Sequence, residues 1–357
     1  RSPGVVAVVT AQDLEGRVHP LPVNPAEQAR IAPVPHPILA RGKVRYVGEP
    51  VAAVLAESRP TAVDAAALVE VNYDPLPALV DPHEALEARV LLHEALGANV
   101  LVLWKRAGGD VAEAFHAAAR VVRETFHIPR LIAAPIEPRG VVAMYDPGTD
   151  LLTLWCSAQD PHRPRAQLSR VLNRPEDRIR LVVPDVGGAF GSKGHLAPEA
   201  ALAGWLAIEV GRPVKWIEDR RDNFMAAYQG RGLDADVEMA VDGSGRILGV
   251  KAKLIADVGA YLYPPTAVVP VATAMLLTGA YAIGAAEVEL VGVATNKVPT
   301  GPYRGAGRPE AAYIVEQMVE LVARELRLDT VEVRRRNLIP TARFPYRTPL
   351  GFTYDSG

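Results

Sequence analysis

The sequence predicts an α+β fold, because its strands and helices do not alternate strictly as they would in a chain of parallel βαβ units. Short runs of β-branched residues, Val5–Val9 and Val51–Leu55, predict strands near the start of the chain. Two longer segments, Ala197–Val210 and Glu310–Leu326, predict helices. The first of these begins beside a proline and is followed by a glycine, which are typical helix boundaries.

Shorter patterns predict the remaining elements. Thr61–Ala67 is expected to be a helix, Leu68–Val71 a strand, and the Pro-rich Ile31–Ile38 a loop. Asp242–Gly243 predicts a hairpin turn. Val258–Ala286 carries no charge, but prolines and glycines interrupt it, so we predict a buried strand and loop lining a channel and no membrane span.

Composition limits the class of protein. A chain of 357 residues with 49% hydrophobic content has room for two domains, and 39 basic against 41 acidic residues indicate no nucleic-acid-binding surface. Cys156 is the single cysteine, so this chain forms no internal disulfide and holds no iron–sulfur cluster. The eight histidines do not fall at metal-ligand spacing. No signal peptide is visible; a cytoplasmic location is expected and a periplasmic one stays open.

The segment Val186–Gly194, VGGAFGSKG, is the first candidate binding loop. It follows an apolar strand at Ile179–Val183 and precedes the helix at Ala197–Val210. Glycines bring main-chain amides close to a ligand, and the start of a helix favours an anionic group. The alternative is a tight turn whose glycines serve only the backbone conformation.

The segment Thr300–Tyr313, TGPYRGAGRPEAAY, is the second candidate. Arg304 and Arg308 flank flexible residues there, Pro309 opens a helix, and Glu310 lies near the positive helix end. Arg304 offers a planar fork to a phosphate or a polar heterocycle, unless both arginines are ordinary surface charges. Neither loop matches a Walker or a dinucleotide-binding pattern, so a standard nucleotide cradle is not predicted.

These loops and their neighbours resemble the molybdenum-cofactor-binding large subunit of the xanthine dehydrogenase and aldehyde oxidase family, the molybdenum hydroxylases. Matching motifs occur in the same order along nearly the whole chain. They are PGVVAVVTAQDL (3–14), VRYVGEPVAAVLAES (44–58), AAALVEVNYDPLPALVDP (65–82), GD (109–110), PIEPRG (135–140), SAQDPHR (157–163), the first loop, GRPVKWIEDRRDNF (211–224), the second loop and ELRLDTVEVRRRNLI (325–339).

The resemblance implies a set of cofactor-binding residues. Gln159 would donate a hydrogen bond toward an oxo group of the metal centre, and Arg304 would contact the cofactor from the second loop. The first loop would lie against metal and pterin through Gly188, Ala189, Phe190 and Gly191. No side chain would ligate the metal, which the pterin sulfurs would hold instead.

Departures from the family pattern bear on the substrate. Gly194 stands where purine-oxidising members carry a glutamate, and Thr273 stands where they carry an arginine. The second loop lacks the cysteine of the carbon monoxide branch. The resemblance therefore implies an aldehyde or an aromatic N-heterocycle as substrate, in a pocket that includes Gly194, Thr273 and Tyr303.

The resemblance also implies an organisation. Residues 1–97 would form an α/β hammerhead domain, 98–115 a connector, and 116–357 the first part of a molybdopterin-binding domain. No match to the family's general-base glutamate occurs here, so no catalytic residue is assigned, and the chain alone is expected to be inactive. Expected partners are a 2Fe–2S small subunit, an FAD medium subunit and the C-terminal remainder of the large subunit, as a dimer of heterotrimers. The cofactor is molybdenum–molybdopterin, with the cytosine dinucleotide form as an option.

Other interpretations stay open at this point. The fold can also serve as a non-catalytic binding or assembly module without the metal. Glu137, in PIEPRG, fits either an acid or a structural ion pair with Arg139. The basic run Arg334–Arg336 is expected to be a solvated or interdomain face of a helix.

Overall fold

A computed structural model describes residues 2–356, and the predicted α+β class is confirmed. Its strands are β1 (Val5–Thr10), β2 (Arg30–Ile31), β3 (Ala52–Ala56), β4 (Val100–Gly108), β5 (Arg120–Ile132), β6 (Gly140–Asp146), β7 (Leu151–Cys156), β8 (Ile179–Val182), β9 (Val214–Ile217), β10 (Gln229–Val241), β11 (Ile247–Asp257), β12 (Ala285–Val293), β13 (Tyr346–Arg347) and β14 (Thr353–Tyr354). Its helices are α1 (Arg59–Ala67), α2 (Pro82–Leu86), α3 (Val111–His116), α4 (His162–Val171), α5 (Pro198–Val210), α6 (Arg220–Ala226), α7 (Val268–Met275), α8 (Arg308–Leu326) and α9 (Thr330–Asn337).

The larger sheet has six strands in the order β2-β4-β12-β11-β10-β5. Only the β11–β12 pair in it is parallel. Helix α8 packs on this sheet through Ile314, Val315, Met318, Val319 and Val322, whose spacing places them on one helical face. The packing fixes the start of α8, and therefore the end of the second loop, against the sheet.

The smaller sheet has four strands in the order β8-β7-β6-β9, and α5 packs on it. Helix α5 begins at Pro198 and ends before Gly211, whose φ of 61° is left-handed, so both predicted boundaries are confirmed. Residues near the start of the chain, including Val9 and Leu21, share the core of this sheet. The first loop lies between β8 and α5, at the end of this layer.

Several local predictions are wrong or incomplete. Leu68–Val71 is not a strand: these residues pair with no other strand in the described chain, and Leu68 is exposed. Val258–Ala286 is almost entirely buried, as predicted, but it contains helix α7. Residues 98–115, expected to be a connector, form β4 and α3, and β4 pairs with β2 and β12 inside the larger sheet.

The predicted hairpin between β10 and β11 is confirmed, with a detail that the sequence did not predict. Asp242 accepts hydrogen bonds from the amides of Ser244 and Arg246, and the left-handed residue is Gly245, with φ of 83°, rather than Gly243. Among the helices of residues 2–356, none has the length and apolar content needed to cross a bilayer.

Candidate cofactor-binding site

The two glycine loops are separated by more than 100 residues in the sequence, but they meet in space through main-chain contacts. The Arg304 amide donates to the Phe190 carbonyl at 2.9 Å, and the Arg304 guanidinium lies over the Phe190 ring, 5.1 Å from its centroid. Phe190 keeps 40% of its surface exposed. The loops therefore form one continuous surface, with Phe190 and Arg304 side by side on it.

The approach of the loops requires glycine at position 191. A Cβ there would lie 2.2 Å from the Pro302 carbonyl oxygen and 3.2 Å from the Cα of Tyr303. The φ of Gly191 is 110°, which L-residues rarely adopt. Gly191 is therefore the point where the two backbones pack directly on each other.

The first loop presents main-chain donors that the protein does not use. Within residues 2–356, the amides of Ala189 and Phe190 donate to no other protein group. Gly188 has a φ of 95° and Phe190 one of 54°, and left-handed residues within a loop can form an anion-binding concavity of main-chain amides. Such an arrangement suits an anionic or oxo-bearing ligand.

Gln159, on the turn after β7, is hydrogen-bonded to the first loop. Its side-chain Oε1 accepts from the main-chain amides of Gly191 at 2.9 Å and Lys193 at 3.3 Å. Its main-chain amide donates to the Lys193 carbonyl at 3.0 Å. Its Nε2 donates to no protein group in the part of the chain that the structure describes. Gln159 therefore joins the Ala189 and Phe190 amides as a free neutral donor.

Glu137 resolves into an ion pair, but with Lys193 and not with Arg139. The Lys193 side chain is fully buried, and its Nζ donates to the Glu137 carboxylate at 2.9 Å and to the Glu137 carbonyl at 2.7 Å. The same carboxylate accepts from the Gly187 amide and from Ser157 Oγ. Burial alone would raise the pKa of Glu137, but these hydrogen bonds lower it below its ordinary value. The carboxylate thus ties both ends of the first loop to the PIEPRG segment.

Arg139 anchors that segment from the other side. Its buried guanidinium bonds Glu218 on the turn after β9 and Glu199 on α5, and its main chain exchanges hydrogen bonds with Glu218. The two carboxylates raise the pKa of Arg139 although burial opposes this, so the group stays charged. The Glu199 carboxylate therefore has a structural role as an ion-pair partner of Arg139.

A second buried ion pair, which the sequence analysis missed, supports the second loop. Arg231 at the start of β10 bonds both carboxylate oxygens of Glu310 at 3.1 Å, and their side chains are 8% and 3% exposed. It also donates to the carbonyls of Tyr303 and Arg304. No local pattern identifies Arg231, because its partners lie more than 70 residues away.

The three expected pocket residues lie in different environments. Gly194 is beside Gln159, since a Cβ there would be 3.9 Å from its Oε1. Tyr303 lies under the Arg231 guanidinium, 4.9 Å from its ring centroid, and packs on Gly230. Thr273, in α7, is 1% exposed and faces Gly307 from behind the second loop, where it borders a cavity of about 10 Å³.

The cysteine and His36 are buried, and His195 is half-buried. Cys156 ends β7, not the second loop, and burial raises its pKa to about 11. Burial lowers the pKa of His36 and of His195 to about 4, so both are neutral. Residues 2–356 contain no cluster of three His, Cys, Asp or Glu side chains able to hold a metal. A metal at these loops would need a carrier, as the family resemblance implies.

Comparison with known proteins identifies the family to which the chain belongs. Residues 92–338 match the molybdopterin cofactor-binding domain, and residues 1–77 match the aldehyde oxidase and xanthine dehydrogenase a/b hammerhead domain. This chain therefore belongs to the molybdopterin-binding large subunits of the molybdenum hydroxylase family.

Individual relatives are longer than this chain. It is similar to the nicotine 6-hydroxylase large subunit of Paenarthrobacter nicotinovorans, at 37% identity over 99% of this chain and 44% of that one. It is also similar to the carbon monoxide dehydrogenase large chain of Hydrogenophaga pseudoflava, at 37% identity over 99% and 46%. The structure of quinoline 2-oxidoreductase from Pseudomonas putida 86 superposes with a TM-score of 0.91, at 37% identity over 99% and 45%. The chain spans less than half the length of each.

Proposed function

We propose that this chain forms the molybdopterin-binding part of a hydroxylase that oxidises an aromatic N-heterocycle, with an aldehyde as the second candidate substrate. The observation that carries the proposal is the joined pair of loops, with unused donors at Ala189, Phe190 and Gln159. Neutral donors can orient the ligands of a metal without competing for the metal itself. The relatives named for nicotine and quinoline favour the heterocycle.

Each loop has a distinct role in this proposal. The amides of Ala189 and Phe190 and the Nε2 of Gln159 would donate to the cofactor, with Gly188 and Gly191 allowing its close approach. Arg304, stacked on Phe190 and without a carboxylate partner in the described chain, would contact it from the second loop. Bound molybdenum–molybdopterin, with the cytosine dinucleotide form as an option, would supply two-electron oxidation with water as the oxygen source.

The substrate proposal rests on what the pocket lacks. Gly194 places no side chain beside Gln159, and Thr273 is buried behind the second loop, so neither offers a charged group to a purine. Cys156 is buried in β7 and carries a raised pKa, so it is not available to hold copper beside the second loop. These features favour a substrate other than a purine or carbon monoxide.

We propose further that residues 1–97 and 116–357 act as hammerhead and cofactor-binding units of a longer large subunit. Glu137 and Glu310 are already engaged in ion pairs with Lys193 and Arg231, so we expect the general base from outside this segment. The segment alone would then be inactive. Electrons would leave through 2Fe–2S and FAD partner subunits in a dimer of heterotrimers, in the cytoplasm.

Metal and substrate analysis of the whole complex tests the proposal. We expect about one molybdenum and one pterin for each large subunit, since one pair of loops forms one site. Dye reduction should be faster with quinoline or nicotine than with an aldehyde, hypoxanthine or carbon monoxide. Absence of both molybdenum and pterin would instead support the non-catalytic module, and a purine as best substrate would refute the interpretation of Gly194 and Thr273.

Substitution of Gln159 separates its two contacts. Glutamate keeps an oxygen acceptor for the Gly191 and Lys193 amides but removes the free donor, whereas leucine removes both. We expect turnover to fall about tenfold or more in both variants, the effect of one lost polar contact. Hydrogen exchange of residues 186–194 should rise only with leucine. Full turnover of the Gln159→Glu complex would contradict the donor role.

A further inference from the structure

The second loop contains a main-chain donor that has not been assigned, the Gly305 amide. Within residues 2–356 it donates to no protein group, and Gly305 is exposed. It directly follows Arg304, whose own amide bonds Phe190 of the first loop. The Gly305 amide is therefore at the surface that the two loops share.

The direction of this amide is set by the carbonyl of the same peptide unit. In a planar trans peptide the C=O and the N–H point in opposite directions. The mostly buried Arg231 side chain donates to the Arg304 carbonyl at 2.9 Å. The Gly305 N–H must consequently point away from Arg231, toward the open side.

The first loop has the same arrangement at Phe190. The Ala189 carbonyl accepts from the amide and the hydroxyl of Ser192, at 3.0 and 2.8 Å. This holds the Phe190 N–H in the opposite direction, where it remains unused. In both loops, therefore, a hydrogen bond to a carbonyl oxygen fixes the peptide unit, so that its unpaired N–H points away from the group that donates to the carbonyl.

Arg231 is suited to this task for reasons beyond charge. Its planar fork reaches Glu310 with one nitrogen and the Arg304 carbonyl with the other, which a lysine cannot do at once. Its backbone is left-handed, with φ of 65°, and the adjacent Gly230 leaves room for Tyr303. The left-handed backbone of Arg231 and the missing side chain at Gly230 together allow the guanidinium to lie behind the second loop.

We propose that Arg231, held by Glu310, is a positioning residue that aims the Gly305 amide at the cofactor as a second-loop hydrogen-bond donor. This inference rests on the proposed function, because the acceptor is the molybdopterin group. It predicts that the second loop keeps its conformation before the cofactor binds, and that loss of the grip weakens cofactor retention without loss of the fold.

The test uses the whole complex and removes both charges together. Arg231→Met with Glu310→Leu leaves no unpaired buried charge, so the fold should survive. A matched control is Arg334→Met with Glu316→Leu, which removes an ion pair between α9 and the middle of α8. Unfolding temperature, molybdenum release rate and hydrogen exchange of residues 300–308 in cofactor-free complex are measured for each.

We expect the Arg231/Glu310 variant to unfold within a few degrees of wild type, to exchange faster at 300–308, and to release molybdenum about tenfold faster, as for one lost hydrogen bond. Arg231→Lys should show a smaller increase in release rate. The control should match wild type in the rate of molybdenum release.

Unchanged release and exchange in a folded double variant would overturn this inference alone, whereas a wild-type complex without molybdenum would overturn the proposed function and this inference with it. If the double variant does not fold, the release rate of Arg231→Lys decides in the same way.

Discussion

Replacement of Gly191 by alanine is expected to separate the two loops and to lower the molybdenum content of the complex by about fivefold or more, since overpacking of this kind costs about 1–3 kcal/mol. The added Cβ would lie 2.2 Å from the Pro302 carbonyl oxygen. That atom belongs to backbone, so it cannot rotate away as the end of a side chain can. The contact between Arg304 and Phe190 would be lost with it.

A control for Gly191→Ala is available within the same chain. Gly211 also has a left-handed φ, 61°, but a Cβ there meets no atom within 4 Å. Gly211→Ala should cost about 1 kcal/mol of stability through backbone strain alone and leave the molybdenum content unchanged. Metal analysis and unfolding temperature distinguish the two variants, and a Gly191→Ala complex with full molybdenum would refute the joined-loop site.

The features that sequence could predict are those encoded locally. Helix α5 was predicted to within one residue, because its proline and glycine boundaries are neighbours of the helix itself. Both loops were recognised from their glycines and from the ordered motifs around them. The backbone contact at Gly191 agrees with a glycine that the loop needs for close approach.

Prediction failed where the outcome depends on distant partners. Apolar residues at Leu68–Val71 suggested a strand, but a strand also needs a partner, and none pairs with this segment in the described chain. The family resemblance implied a connector at residues 98–115, although β2 and β12 flank β4 in the larger sheet. From sequence, Glu137 fits either an acid or an ion pair with Arg139, two residues further along, whereas folding brings Lys193 to it from 56 residues away.

Replacement of Arg139 by methionine is expected to destabilise the chain by about 3–5 kcal/mol, the usual effect of breaking a buried ion pair from one side. Glu218 would lose hydrogen bonds to the guanidinium at 2.6 and 3.0 Å, and Glu199 would lose bonds at 3.0 and 3.1 Å. The PIEPRG segment, and Glu137 with it, would then be held less firmly behind the first loop. Arg180→Met, at an exposed position on β8, is the matched control and should change stability by less than about 0.5 kcal/mol.

The loss of stability in Arg139→Met should depend on pH, and the direction of this dependence follows from the pKa of Glu218. In the wild-type chain, burial would raise the pKa of Glu218, but the hydrogen bonds from Arg139 lower it, so its contribution to stability is present above the unfolded pKa and is lost as pH falls. Without Arg139 only burial and Asn223 remain, and burial favours the protonated carboxyl. The deficit of Arg139→Met should therefore shrink on acidification from pH 7 to pH 5, and Glu218→Gln added to it should recover part of the stability at pH 7. Thermal unfolding across this range measures both effects; a deficit that grows on acidification would show that the guanidinium is not what keeps the Glu218 carboxylate charged.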